Sequence, residues 1–263
     1  MARGADPIPW NDEEGEIDGD LLLVGVVQRL PGYSEPFLDA TLYAGASPLW
    51  VDELRQLRLP HTRWAVGRLE SHDLVELGRD WSDNRCCRLL FDLDQPRFVD
   101  ALPRFKALYA PVLTVGLTSA AQLPPGVEVD VWVHRAEEET GRFLHAAMIS
   151  ASAPHSMTCY DDEDLRELMG EGKAPCRLLH GMWNASTSRL EFLEDDRQTM
   201  ERSQALFFTH ALVDMPPQTR GYVRAIKELI PAHADYLYHH PHALWRCASD
   251  SAASRVPVLV LCR

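Results

Sequence analysis

The sequence predicts a mixed α/β (α+β) fold, with a strand–helix alternating N-terminal half and an antiparallel, hairpin-rich C-terminal half with covering helices. Three observations carry this. Apolar runs of strand length alternate with helix-like stretches as far as Ser119, the pattern of crossover units. From Gly126 onward the period falls to two, and apolar strands are joined by polar turns. The balance of 46% hydrophobic and 25% charged residues over 263 positions is that of a globular chain able to bury a large core.

The elements follow in order. Residues 1–20 carry one arginine against seven acids, a net −6 out of −13 for the chain, and read as a solvated acidic tail. Within it, "NDEEGEIDGD" lacks the alternating oxygen ligands and the distal Glu of a calcium loop. "LLLVGVVQRL" is a buried strand. "SPLWVDELRQL" is a helix with Ser47 as cap and Pro48 in its first turn. "TRWAVGRLE" is a strand, "SHDLVELGRDW" a helix capped by Ser71, and "RCCRLLFDLD" a third strand. "PRFVDALPRFKALY" is a helix that Pro103 kinks or breaks, and "PVLTVGLTS" is a fourth strand.

In "GVEVDVWVHRAEEETGRFLHAAMIS" two strands flank a polar turn. Val127, Val129, Val131 and Val133 share its buried face, with Glu128, Asp130, Trp132 and His134 opposite. "YDDEDLRELMGEG" is a helix with acids in its first turn and glycine past its end. "CRLLHGMWNASTSRLEFLE" is a hairpin turning at "NASTS". "DDRQTMERSQALFFTHALV" and "PQTRGYVRAIKELI" are helices, and "RVPVLVLCR" is a final strand. The expected core includes Leu22, Val24, Val26, Leu89, Phe91, Leu113, Val115, Val129, Val131, Leu190, Phe192, Val258 and Val260. The organisation is a tail over 1–20, an α/β half over 21–150 and an α+β half over 151–263, joined at "SASAPHSM". Eight residues is an ordinary loop, so one continuous domain over 21–263 also fits.

Composition narrows the partners. No Lys/Arg-rich stripe marks a phosphate-backbone binder, which disfavours nucleic acid. No apolar run reaches membrane-spanning length and no secretory signal opens the chain, so a soluble, cytoplasmic protein is expected. The six cysteines then read as reduced thiols. P-loop, dinucleotide-fingerprint, nucleophile-elbow and zincin motifs are all missing from the sequence.

Four local groupings are candidates for chemistry. In "DYLYHHPHALWRC", His240 and His242 straddle Pro241, with Asp235 and Cys247 available to complete a divalent-metal shell; otherwise the stretch is an aromatic-rich loop. In "HSMTCYDDED", Cys159 precedes a helix and His155 lies near enough to take its proton, the arrangement of a Cys/His nucleophile. The acids Asp161, Asp162 and Asp164 oppose thiolate formation there and are also what an ordinary helix start carries. In "CRLLHGMW", Cys176 and His180 share a strand face but stand too far apart for a direct bond. The pair Asp92 and Asp94 in "FDLDQP" projects from a strand end, where α/β proteins place ligands, and could hold a divalent cation.

Two functions are compatible with these features. One is a non-catalytic protein-binding or regulatory protein, such as an adaptor, a subunit or an acidic inhibitor of a basic partner. The other is an enzyme with a dispersed polar site, either a Cys/His hydrolase or transferase using His155 and Cys159, or a metal-dependent one.

Overall fold

The computed structural model describes residues 22–30, 37–46, 62–68, 85–134, 157–158, 162–184, 186–210, 219–240 and 255–263. Among the described residues, twelve strands join one mixed sheet and four helices accompany it, so the fold is mixed α/β. The strands are β1 (Leu22–Leu30), β2 (Phe37–Ala46), β3 (Thr62–Arg68), β4 (Arg85–Asp92), β5 (Leu113–Thr118), β6 (Val131–His134), β7 (Met157–Thr158), β8 (Pro175–Asn184), β9 (Arg189–Phe192), β10 (Ala205–His210), β11 (Asp235–His240) and β12 (Arg255–Cys262). The helices are α1 (Pro96–Tyr109), α2 (Asp162–Leu168), α3 (Glu194–Arg202) and α4 (Thr219–Leu229).

Across the sheet the order is β3-β1-β2-β4-β5-β6-β8-β12-β10-β11-β7, with β9 also paired to β8. The first three strands in that order are antiparallel. From β2 through β4, β5 and β6 to β8 every pair is parallel. β12 runs antiparallel to both β8 and β10. β11 is parallel to β10, and β7 closes the row antiparallel to β11.

The central strands are apolar without alternation because both of their faces are covered. Leu89, Leu90 and Phe91 on β4 are all fully buried, as is every residue of β5. Leu89 and Phe91 face α1, whose Phe98, Leu102, Phe105 and Tyr109 recur at helical spacing and form one buried stripe. Phe91 meets Phe98 and Phe105 edge-on at centroid distances of 6.2 and 5.5 Å. The ladder carries the same face across to β8, where Leu179 and Trp183 pack with Met200 of α3 and Tyr222 and Ile226 of α4. α1, α3 and α4 therefore share one face of the sheet. α2 lies on the other, where Arg88 of β4 reaches Asp162 at its start.

Most of the predicted core is buried, including Leu89, Phe91, Leu113, Val115, Val129, Val131, Leu190, Val258 and Val260. Phe192 is only half-buried. The side chains of Leu22, Val24 and Val26 lie outside the described residues, as do the stretches "SPLWVDELRQL" and "SHDLVELGRDW" and the acidic tail.

Five local readings change. "FLDATLYAGA", assigned to no element above, is β2 and pairs with β1 along its length. The stretch from Asp195 to Val213 is not one helix. It leaves the helical conformation at Ser203, and "ALFFTH" becomes β10 between β12 and β11, because a run rich in Phe and Thr suits a doubly covered strand. The strand expected from Val127 begins only at Val131, and Trp132 on its second face is 7% exposed, so both faces are covered. Pro103 neither breaks nor interrupts α1; it sits on the exposed side, where its missing N–H leaves the packed stripe intact. Finally, Asp235–His240 is strand β11 rather than loop.

Candidate functional site

The carboxyl ends of β2, β4, β5 and β6 form a rim, the position at which parallel sheets bind ligands. Asp92 ends β4 at 4% exposure. Beside it the chain of β2 passes through Gly45 at φ +133, where a Cβ would stand 2.7 Å from the Asp92 Cβ and 3.1 Å from the Tyr43 hydroxyl oxygen. That approach and that φ both require glycine.

Asp94 does not project beside Asp92 from a common strand face. β4 stops at Asp92, and Asp94 lies in the following turn, where its backbone N–H donates to Asp92 Oδ1 at 3.1 Å. Its carboxylate accepts the Thr118 hydroxyl at 2.7 Å and the Ser119 N–H at 2.8 Å. Thr118 Oγ1 in turn accepts the Ala120 N–H at 3.1 Å. The D-x-D motif is thus a clamp fastening the β4–α1 turn to the end of β5.

Further along the rim, Thr118 stands opposite His134, and His134 opposite Arg177. Among the described residues no three His, Cys, Asp or Glu side chains gather closely enough to hold a metal ion.

At the far edge of the sheet β7 lies beside β11. Met157 pairs with His240 and Thr158 with His239. The two-residue strand Met157–Thr158 and the end of β11 are thus neighbours, although they are distant in sequence. His155, Cys159, His242 and Cys247 themselves lie outside the described residues. Asp235 opens β11 and His240 ends it, about 16 Å apart on an extended strand.

The described thiols serve packing. Cys176 is fully buried and its Sγ lies 3.8 Å from the Met169 carbonyl oxygen. Burial pushes its thiol up to about 12, the Arg263 charge offsetting this in part. Burial also pushes Cys262 up to about 12. Both thiols are protonated in the folded and the unfolded chain below about pH 9, so their full contribution to stability is present there. From there toward pH 12 the unfolded chain ionises first and stability falls, by up to about 1.4 kcal/mol per pH unit for each thiol. Urea midpoints measured from pH 8 to 11 are expected to drop less steeply in Cys176→Ala/Cys262→Ala than in the parent. Equal slopes would refute the assignment.

Two charged groups at work in the structure were not foreseen from the sequence. Arg88 forms a largely buried ion pair with Asp162 at 2.7 Å, and Arg177 sits on the interior strand β8. The available signal was a charged residue inside an apolar strand run, which needs either a partner or an opening.

No helix of the described residues is long and apolar enough to cross a membrane. No known family model matches the chain, and no curated protein is significantly similar to it.

Proposed function

We propose that the protein is a non-catalytic binding or regulatory protein of the cytosol, acting as an adaptor, a subunit or an acidic inhibitor of a basic partner. The observation that carries this reading is the use made of the reactive groups. Asp94 clamps a turn, Asp162 pairs with Arg88, and Cys176 and Cys262 are buried packing groups. The surface supplies the complementary half. Leu193 is 74% exposed, between Glu191 and the acidic first turn Glu194, Asp195 and Asp196 of α3. With a net charge of −13, of which −6 falls in the first twenty residues, the chain favours encounter with a basic partner carrying an apolar contact.

The test is affinity purification from native cells with the full chain, a variant lacking residues 1–20, and Leu193→Glu. A stoichiometric basic partner is expected with the parent, in reduced amount with the deletion and lost with Leu193→Glu. An empty purification with all three refutes the reading.

Asp92 favours a second reading. A buried carboxylate at the end of a parallel strand suits ligand chemistry at the rim, and the alternative is an enzyme drawing on it or on His155 and Cys159. Under that reading iodoacetamide modifies Cys159 faster than a free model thiol; an equal rate removes the nucleophile.

A further inference from the structure

We propose that the strip of sheet between α1 and α3 binds a small oxyanion, the phosphate or carboxylate group of a soluble ligand, through Arg177, His134 and Trp132. The proposal does not rest on the partner surface at Leu193, although Asp196 borders both regions.

The first ground is an opening in the helical layer. β8 is an interior strand with β6 and β12 on its two sides at Arg177. A residue there on the helix-bearing face is expected to be covered, as Leu179 is two positions on, at 6% exposure. Arg177 is instead exposed. α1 packs over β2 and β4 and reaches Trp132 of β6 at its border, while α3 and α4 pack over β8 from Leu179 onward and over β12 and β10. Between these two clusters Arg177 is exposed and His134 half-buried, next to the carboxyl ends of β5 and β6.

The second ground is what lines the opening. His134 is directly opposite Arg177, and Trp132 precedes His134 by two residues, on the same face. Cross-strand and diagonal spacings on a sheet put these three side chains within about 8 Å of one another at Cβ. Trp132 is 7% exposed, yet its indole N–H has no acceptor. No hydrogen bond or ion pair engages the side chain of Arg177 or of His134 among the described residues. An indole and a guanidinium are donors only, and an imidazole supplies a further N–H. A ligand satisfying all three must be an acceptor, and the guanidinium favours one carrying negative charge.

The neighbouring charges limit that charge. Asp196 on α3 and Arg177 both act on the Cys262 thiol, which places an acid on the α3 side of the strip. Lys106 on the α1 side is engaged with the Glu128 carbonyl oxygen, and the Asp130 carboxylate accepts the Thr114 N–H. One compact anionic group fits these surroundings better than a polyanion.

The test is a titration of the full chain, at constant ionic strength, with inorganic phosphate and separately with acetate, followed in 1H–15N spectra. The indole resonance that disappears in Trp132→Phe identifies Trp132. It is expected to move and saturate with at least one of the two probes. Saturation with phosphate alone or acetate alone assigns the ligand class; saturation with both assigns the shared oxyanion chemistry. Arg177→Met is expected to weaken binding about tenfold or more, as loss of a charge-assisted bond implies. Arg224→Met, which alters an exposed cation on α4, leaves binding unchanged. Failure of the Trp132 indole to saturate with either probe overturns the proposal. So does an equal effect of Arg177→Met and Arg224→Met.

Discussion

Deleting residues 255–263 is expected to leave a chain with no cooperative urea transition. The reason is the place of β12 in the sheet. It lies between β8 and β10, paired along its whole length with the first and over five residues with the second. Val258, Leu259, Val260, Leu261 and Cys262 are each at most 2% exposed, so both faces of the strand are core. Burying one such side chain contributes about 1.5–3 kcal/mol. Five together are on the order of the whole net stability of a domain, about 5–15 kcal/mol. The loss is also topological, because β10, β11 and β7 reach the rest of the sheet through β12. Arg263 extends the junction, its carbonyl oxygen accepting the N–H groups of Gln204 at 2.7 Å and Ala205 at 3.2 Å. Val260→Asp makes the same point in the full-length chain, since it places an unpaired charge between the sheet and the layer of α3 and α4. Near-UV circular dichroism and urea titration check both variants. A deletion that keeps a sharp transition with the parent's m-value would show that β12 is an accessory strand.

The strands that were legible in the sequence are those whose signal is local. β1, β4, β5 and β12 are apolar runs of strand length, and a strand buried on both faces needs no other code. α1 was legible because Phe98, Leu102, Phe105 and Tyr109 repeat at helical spacing. β10 was misread because "ALFFTH" follows an acid-started helix with only Ser203 and Gln204 between, and aromatic residues satisfy either period in so short a run. β11 was misread because "DYLYHH" carries polar residues that an interior strand would exclude. It lies toward the edge of the sheet, where Asp235 and Tyr236 are exposed. The site was less legible than the fold for a related reason. Asp92 and Asp94 stand out as a motif, yet whether they act together depends on where β4 ends, and that is fixed by the pairing with β5. The opening over Arg177 is a property of how far α1 and α3 reach across the sheet, which no stretch of residues around position 177 encodes.

Arg88→Ala and Asp162→Ala are each expected to cost about 3–5 kcal/mol, while Arg88→Met/Asp162→Leu costs far less than their sum. The Arg88 Nε–H donates to Asp162 Oδ1 at 2.7 Å, and the two side chains are 12% and 9% exposed. Removing one partner takes a short charge-assisted bond from a desolvated charge, which is where the cost of a broken buried pair comes from. Replacing both by apolar groups of similar volume removes two charges and the need to pair them. The double-mutant cycle separates this from simple loss of packing, since packing losses in two residues add. The pair also acts on the candidate region. Asp162 is the first residue of α2, and β7 ends four residues before it at Thr158. Anchoring α2 to the centre of the sheet through β4 therefore fixes one end of the segment that aligns Met157 and Thr158 with His240 and His239. Amide exchange is expected to rise at Met157, Thr158, His239 and His240 in Asp162→Ala, and to stay close to the parent in the apolar double variant. If the single variants are as stable as the parent, or if exchange at the β7–β11 ladder is unmoved by Asp162→Ala, the ion pair does not hold α2 and that edge of the sheet is organised without it.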